Sequence, residues 1–418
     1  MNFRDTPEDA SFRAEVKGFL AQQRGPDGET SFGEASGPNS DRASEEVARG
    51  GADRYGAYKG WMKKLAAKGW IAPAWPVEYG GAGMSVMQQF VFNEEMAEAR
   101  APRPGGIGVG FAGPTIIVYG NDAQKKQHLP GLLSGDDVWC QGFSEPGAGS
   151  DLASLSTSAV KDGDDYVING QKIWTSGAQF AQRMILLARS DAAAPKHKGI
   201  SYFLLDMKSP GVTVRPLVNM ANSTGFSEVF FDNVRVPAKD LLGEENRGWY
   251  VATTTLDFER SSIGSSIAQQ HSVEDLIHFV KELGARSKEL GNGRISASVR
   301  MELAERSIEA ETARLLSYRV ITLQNRGMVP NHEASAVKLY ASELSQRVAS
   351  TGLKVAGLYG QLDRDGKAGA EAASNRYAPN KGRLMRAYLN AVSATIAGGT
   401  GEVQRGIIAG RGLGLPRQ

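Results

Sequence analysis

Tyr166-Val167-Ile168-Asn169-Gly170-Gln171-Lys172-Ile173-Trp174 is the stretch on which the architecture turns. Two runs rich in β-branched and aromatic residues flank Asn-Gly, a dipeptide that accepts the positive φ angles of a tight turn, so the pattern predicts a β-hairpin. Further short apolar runs follow it with turn residues between them: Met184-Ile185-Leu186-Leu187, Ile200 to Leu205, Val212-Thr213-Val214 and Val229-Phe230-Phe231. They predict a β domain that opens near Val138 and has its last strand closing at Val236-Pro237.

On either side the hydrophobic period changes from two to that of a helix. Upstream, Phe12, Val16 and Phe19-Leu20 recur at helix spacing, as do Trp61, Leu65 and later Phe90, Phe92 and Met96. Between Gln22 and Asp53 a segment rich in Gly, Ser and Glu reads as a long surface loop, which suits a lid, a partner contact or a tolerated insertion. Downstream, helices are expected over 246–283, 298–326, 332–358 and 381–397, with a short one after Thr400 and a polar loop from Gly360 to Asn375. Four long amphipathic helices in succession imply a bundle. The expected fold is therefore α+β in three domains: an N-terminal α-helical domain (1–137), a middle β-sheet domain of barrel or sandwich type (138–245), and a C-terminal four-helix bundle (246–418).

The bulk composition excludes several classes. A chain of 418 residues exceeds one ordinary domain. A formal charge of +2 without a dense Lys/Arg tract gives no nucleic-acid footprint. Cys140 stands alone, so no internal disulfide can form and a reducing compartment is expected. The five histidines contain no His-Glu-x-x-His pair, and no metal site is expected. The acidic start, Met1 to Asp9, does not read as a targeting peptide, and no apolar run approaches the roughly 18 residues of a membrane span. A cytoplasmic protein is expected. Gly108-Val109-Gly110-Phe111-Ala112-Gly113 matches the dinucleotide-binding pattern formally but lies in a helical region without βαβ context, and reads as close helix or loop packing.

Three segments carry chemistry. Gly142-Phe143-Ser144-Glu145-Pro146-Gly147-Ala148-Gly149-Ser150-Asp151 combines glycines, which let backbone approach a ligand closely, with hydroxyl donors. Lys172-Ile173-Trp174-Thr175-Ser176 and Gly398-Gly399-Thr400-Gly401-Glu402-Val403-Gln404-Arg405 follow in that order. Together they resemble the acyl-CoA dehydrogenase family of flavoenzymes, whose helix–sheet–helix arrangement matches the one read from the periodicity. The resemblance implies FAD in a cleft between the β domain and the bundle. By the same resemblance Phe143 and Ser144 contact the pyrimidine edge of the flavin, and Gly149 and Ser150 its diphosphate side and the substrate's entry. Trp174 packs against the flavin and Ser176 faces N5. Taken singly, Trp174 also suits a core aromatic at the sheet edge. Thr400 can N-cap the last helix beside Gly399, where the resemblance places the FAD diphosphate or ribose near Glu402 and Gln404; an ordinary capped helix is the alternative.

The chemistry implied is removal of the substrate's α-proton by a carboxylate while a β-hydride passes to flavin N5, giving a trans-2-enoyl-CoA. In many relatives the base lies two residues before the motif threonine, a position held here by Gly398. A second branch carries it on the first bundle helix, and this chain has Leu256-Asp257-Phe258-Glu259-Arg260 there. Glu259 also falls on the apolar stripe of Ala252, Leu256, Ile263 and Ile267, where desolvation raises a carboxyl toward the range of a general base. A salt-bridged glutamate, with Arg306 as partner, is the competing view. Arg260 matches an arginine near the pantetheine end, or else a structural ion pair; Gly398 leaves the substrate pocket open. Glu145 reads as bracing its own loop.

The resemblance is incomplete. The Arg-x-x-Phe-Gly string whose arginine reaches a partner subunit's FAD has no equivalent between Lys281 and Arg294, and a glutamine before a Gly-Gly turn is replaced by Lys354. The expected function is thus an acyl-CoA dehydrogenase acting on acyl-CoA, with a branched, cyclic or bulky acyl group favoured and electron-transfer flavoprotein as acceptor. Its assembly is a homodimer, a homotetramer or a heteromer with a second dehydrogenase-like subunit. A flavin oxidase or monooxygenase of the same fold, or a structural subunit, are the other readings.

Overall fold

The computed structural model describes residues 5–23, 58–258, 263–289, 295–362 and 379–416. The N-terminal layer is helical. In α1 (Pro7–Ala21) Thr6 caps the start by accepting from Asp9 N at 3.1 Å, and Pro7 occupies the first turn, where its missing N–H costs nothing. Val16 and Leu20 are buried, beside Trp61 and Leu65 of α2 (residues 58–67). α3 (Val86–Glu98) opens on a reciprocal Ser85/Gln88 capping box. Arg13 of α1 ties the two helices together through Glu94 and Glu95 at 2.7 and 2.6 Å. α4 (Gly113–Tyr119) and α5 (Asp122–Leu133) complete the layer.

The Gly108–Gly113 pattern serves packing, as expected. Gly108–Ala112 forms a π-helical turn into α4, and a Cβ on Gly113 would sit 1.9 Å from the Trp75 ring. Only glycine admits so close an approach.

The middle domain is one curled sheet of β1 (Trp139–Gly142), β2 (Ser158–Asp162), β3 (Asp165–Ser176), β4 (Arg183–Arg189), β5 (Ile200–Asp206), β6 (Val212–Leu217) and β7 (Phe226–Pro237). β4 pairs antiparallel with β5 and parallel with β1 and, at one residue pair, with β2; the sheet then runs β2-β3-β7-β6 through antiparallel pairs. The hairpin expected at Asn169-Gly170 is not formed. β3 runs through it as one strand, with a register shift between Ile168 and Gly170. Asn169 instead exchanges hydrogen bonds with Asn233 across to β7, and Gly170 (φ 149°) lies against Thr157, so the dipeptide makes a bulge with a close backbone approach. The reversal sits earlier, where Gly163 (φ 61°) turns β2 into β3 with Asp162 opposite Asp165.

β4 and β5 are apolar on both faces because both are covered. Ile185, Leu187, Ile200, Tyr202 and Leu204 join the N-terminal helices in one core, while Met184, Leu186, Ala188, Phe203 and Leu205 join Ile168, Val229, Phe231 and Val236 in a second.

The C-terminal region is a helical bundle. The helix expected over 246–283 is described as α6 (Gly248–Phe258) and α7 (Ile263–Glu289), residues 259–262 lying outside the described set. α8 (Ala297–Asn325), α9 (His332–Ala356), α10 (Arg383–Ala394) and the short α11 (Gly401–Ile407) follow. Val273, Ala310, Ala313, Leu344 and Val348 form one bundle core, and Leu276, Val280, Leu303 and Leu384 another. Among the described residues no helix is long and apolar enough to cross a membrane.

Candidate functional site

β1 delivers the chain into the 143–151 loop. Phe143 is buried edge-on against Tyr202, with ring centres 5.8 Å apart. Glu145 and Ala148 exchange both backbone hydrogen bonds at 3.0 Å, so Pro146 and Gly147 form an exposed tight turn. The Glu145 side chain points inward. It accepts from Ser156 N (2.7 Å), Ser156 Oγ (2.9 Å) and Thr157 N (2.9 Å), and pairs with Lys172 Nζ at 2.8 Å. Lys172 is fully buried and donates also to Phe143 O at 3.0 Å, while Ile173 N donates to Ser144 O at 3.0 Å. One buried cation thus fastens the loop to β3, and Glu145 braces its loop as the sequence suggested.

Burial alone would raise the Glu145 carboxyl, but the Lys172 charge and the hydrogen bonds hold it down, from its ordinary 4.5 to about 2. Burial pushes the Lys172 ammonium down to about 8, with the Glu145 charge acting against it. Lys172 is charged throughout the acid range, and there the unfolded chain protonates Glu145 before the folded one does. The pair's contribution is therefore complete from about pH 4.5 up to the range near 8 where Lys172 loses its proton, and is lost as pH falls toward 2. Denaturant titrations between those limits should show a steeper acid loss for the wild-type chain than for Glu145→Gln. Parallel pH profiles would refute this.

Along β3 a second register shift falls between Lys172 and Thr175. Inside it Trp174 has a φ of 58°, a left-handed conformation that is costly for a bulky residue. Its side chain is 58% exposed and leans edge-on against Phe226, with ring centres 6.0 Å apart. Trp174 is therefore not a core aromatic. Thr175, by contrast, is buried, and its hydroxyl has no hydrogen-bond partner. Ser176 is half-buried, as is Ser144, whereas Gly149 and Ser150 are exposed. The loop ends in Asp151, which Lys196 and Ser154 hold, and these contacts keep its carboxyl below the usual range.

The C-terminal motif forms a separate group. Gly398 and Gly399 have φ angles of 65° and 85°, Thr400 Oγ1 accepts from Val403 N at 3.2 Å, and Gln404 Nε2 donates to Gly398 O at 3.2 Å. Thr400 thus caps α11. Glu402 is exposed, and its carboxyl lies below the usual range because of its own backbone N–H and the Thr400 hydroxyl. Among the described residues no hydrogen bond or ion pair joins Gly398–Glu402 to the 143–176 group. Glu259 and Arg260 lie outside the described residues. On the helix before them Ala252 is buried and Leu256 half-buried, and Ile267 of α7 is buried. Arg306, the rival partner for Glu259, is engaged by Glu305 and Glu309 at 3.1 and 2.8 Å. Lys354, at the altered position near the bundle turn, pairs with Glu302 at 2.9 Å.

The sequence reading missed the role of Lys172, although a signal existed. Lys172 has the parity of Tyr166 and Ile168, both buried, so a lysine there needs an internal anion, and Glu145 is the carboxylate in the neighbouring motif. Phe226, the support of Trp174, carried no such signal.

Comparison with known proteins gives matches along most of the chain. Family models match residues 40–136 (acyl-CoA dehydrogenase, N-terminal domain), 140–234 (middle domain) and 246–413 (C-terminal domain). The acyl-CoA dehydrogenase IpdE1 of Mycobacterium tuberculosis is 34% identical over 412 residues, covering 97% of this chain and 98% of its own. Among solved structures, the ChsE4-ChsE5 complex from Mycobacterium tuberculosis aligns with a TM-score of 0.80 at 33% identity, and the Tcur3481-Tcur3483 steroid ACAD with 0.80 at 32%; each alignment covers 100% of both chains.

Proposed function

The chain belongs to the acyl-CoA dehydrogenase family, a family of flavin-dependent oxidoreductases, and from that premise we propose that it binds FAD and desaturates an acyl-CoA thioester between Cα and Cβ. The observation that carries the reading is Trp174. A large aromatic kept in a strained backbone conformation and left mostly exposed stores free energy that its own contacts do not repay, which is the mark of a residue serving a ligand.

Phe143, Ser144 and Ser176 would hold the flavin ring, and Gly149 and Ser150 its diphosphate side, with Trp174 excluding water. Gly399, Thr400 and Glu402 stand on the bundle as the other candidate contacts. Bound FAD supplies the acceptor for the β-hydride. Glu259 takes the α-proton, and Arg260 and Ser150 position the thioester. The Glu145–Lys172 pair keeps Phe143 and Ser144 in place on β3.

A bulky, branched or cyclic acyl group is the substrate we infer. Gly398 stands where many relatives carry their base, which leaves that side of the pocket without a side chain, and one similar structure is described as a steroid ACAD. Two of the similar structures are of paired chains, which supports a heteromer with a second dehydrogenase-like subunit, and we place electron-transfer flavoprotein as the acceptor in the cytoplasm.

The test is the visible spectrum of the purified protein during anaerobic addition of acyl-CoA thioesters. Bleaching of the flavin band by a cyclic or branched thioester is expected. A yellow protein bleached only by an unbranched medium-chain thioester overturns the substrate assignment, and one bleached by none overturns the reaction.

A further inference from the structure

Charges of alternating sign run across the bundle from α8 through α9 to α11. Arg306, which is buried, lies 3.1 Å from Glu305 and 2.8 Å from Glu309. Glu309 reaches Arg347 of α9 at 2.9 Å, Arg347 reaches Glu343 at 3.7 Å, and Glu343 pairs with Arg405 of α11. Side-chain exposure rises along this path, from 11% at Arg306 to 56% at Arg405. The inner links are charge contacts without directional bonding: among the described residues Arg306 Nε, Arg347 Nε and Glu309 Oε2 are buried and have no aligned hydrogen bond. A partly satisfied buried charge chain is a poor source of stability, and what it supplies instead is a fixed geometry.

The outer end of the chain meets the C-terminal motif. Among the described residues Arg405–Glu343 is the one ion pair that α11 makes. The Arg405 guanidinium lies back along its own helix: a Cβ on Gly401 would meet Arg405 Nη1 at 3.1 Å and Leu339 Cδ1 of α9 at 3.5 Å, so the buried residue after Thr400 is wedged between this arginine and α9. Gln404, next to Arg405, donates to Gly398 O, and Gly401 N donates to Thr395 O at 2.9 Å. α9 grips the near end of the same segment as well, with Lys338 Nζ donating to Ala394 O at 2.8 Å and Gln346 Nε2 to Thr395 Oγ1 at 3.1 Å. Gly398 to Glu402 is thus slung between two anchors on α9, and the charge chain supplies the farther one.

We propose that Glu343, Arg347 and Arg405 are positioning residues, which seat α11 on α9 and so set the path of Gly398 to Glu402 beside the flavin. None of the three touches the reacting atoms. Arg347, held on its inner side by Glu309, fixes Glu343, and Glu343 fixes Arg405. The proposal rests on the reading of this segment as a flavin contact, and its test separates the two.

The measurements, on the full chain, are amide exchange over 398–407 by mass spectrometry and the Kd for FAD of the flavin-stripped protein. Glu343→Gln and Arg405→Met should each speed exchange of that segment about three- to tenfold and raise Kd by a similar factor. The double variant should be no worse than either single one, because both remove the same contact. Arg405→Lys keeps the charge and should stay close to wild type. Arg347→Met, one link further in, should loosen the same segment, and no effect there overturns the chain. The outer pair is partly exposed, so denaturation midpoints should hardly move in Glu343→Gln and Arg405→Met. Unchanged exchange in these two variants overturns the positioning role, as does faster exchange with an unchanged Kd. A fallen midpoint with exchange rising throughout the bundle also overturns it, since that is a contribution to stability alone. Faster exchange confined to 398–407, in a protein whose wild type binds no FAD, upholds the seating of α11 and defeats the flavin reading alone.

Discussion

Glu259→Gln is expected to lower kcat by about a thousandfold while leaving FAD content and acyl-CoA affinity near wild type. Glutamine keeps the volume and hydrogen-bonding reach of the side chain and removes only its capacity to take a proton, and general-base contributions fall between about a hundredfold and ten-thousandfold. Because the loss belongs to the chemical step, kcat and kcat/KM should fall together, and the flavin should bleach slowly in a single turnover. Activity within a few-fold of wild type would move the base elsewhere. Of the other carboxylates weighed, Glu145 is committed to Lys172 inside the protein, so the search would pass to Glu402.

Lys172→Met is expected to cost about 3–5 kcal/mol of stability, read from chemical denaturation midpoints, because it leaves the Glu145 carboxylate buried without its cation. The paired substitution Glu145→Gln/Lys172→Met removes both charges and should recover most of that loss. The coupling separates the ion pair from simple packing at position 172. A single variant costing less than about 1 kcal/mol would mean that water reaches the carboxylate and that the loop does not depend on the pair. Cofactor retention should follow the same order, the single variant releasing flavin most readily, since the Phe143 carbonyl also loses its donor.

The helix–sheet–helix division was legible because hydrophobic period is a local property. Val16 and Leu20 announce a helix, and Met184 to Leu187 a doubly covered strand, without knowledge of what they pack on. Asn169-Gly170 was misread for the opposite reason. The dipeptide is equally at home in a tight turn or a bulge, and the choice belongs to β7, whose Asn233 receives it some sixty positions later in the chain. The motif loop and Trp174 were found by resemblance and the Thr400 cap by local chemistry, but exposure and the left-handed φ of Trp174 are consequences of the β3–β7 register. Lys172 could have been found from its parity. The Asp151–Lys196 and His197–Trp249 contacts could not, since they form only when three connections converge.

β4 and β5 contribute side chains to two cores at once, those of one face to the N-terminal helices and those of the other to the sheet interior. Neither core can open without exposing strands that the other also needs. The helical layer and the sheet should therefore melt as one cooperative unit, and the amides of β4, central to both, should be among the last to exchange with solvent. The loop from Phe143 to Asp151 and the connection from Ser190 to Gly199 hang from the ends of that unit, so their exposed tips, at Pro146-Gly147 and Lys196 to Lys198, are anchored in the part of the sheet expected to open last.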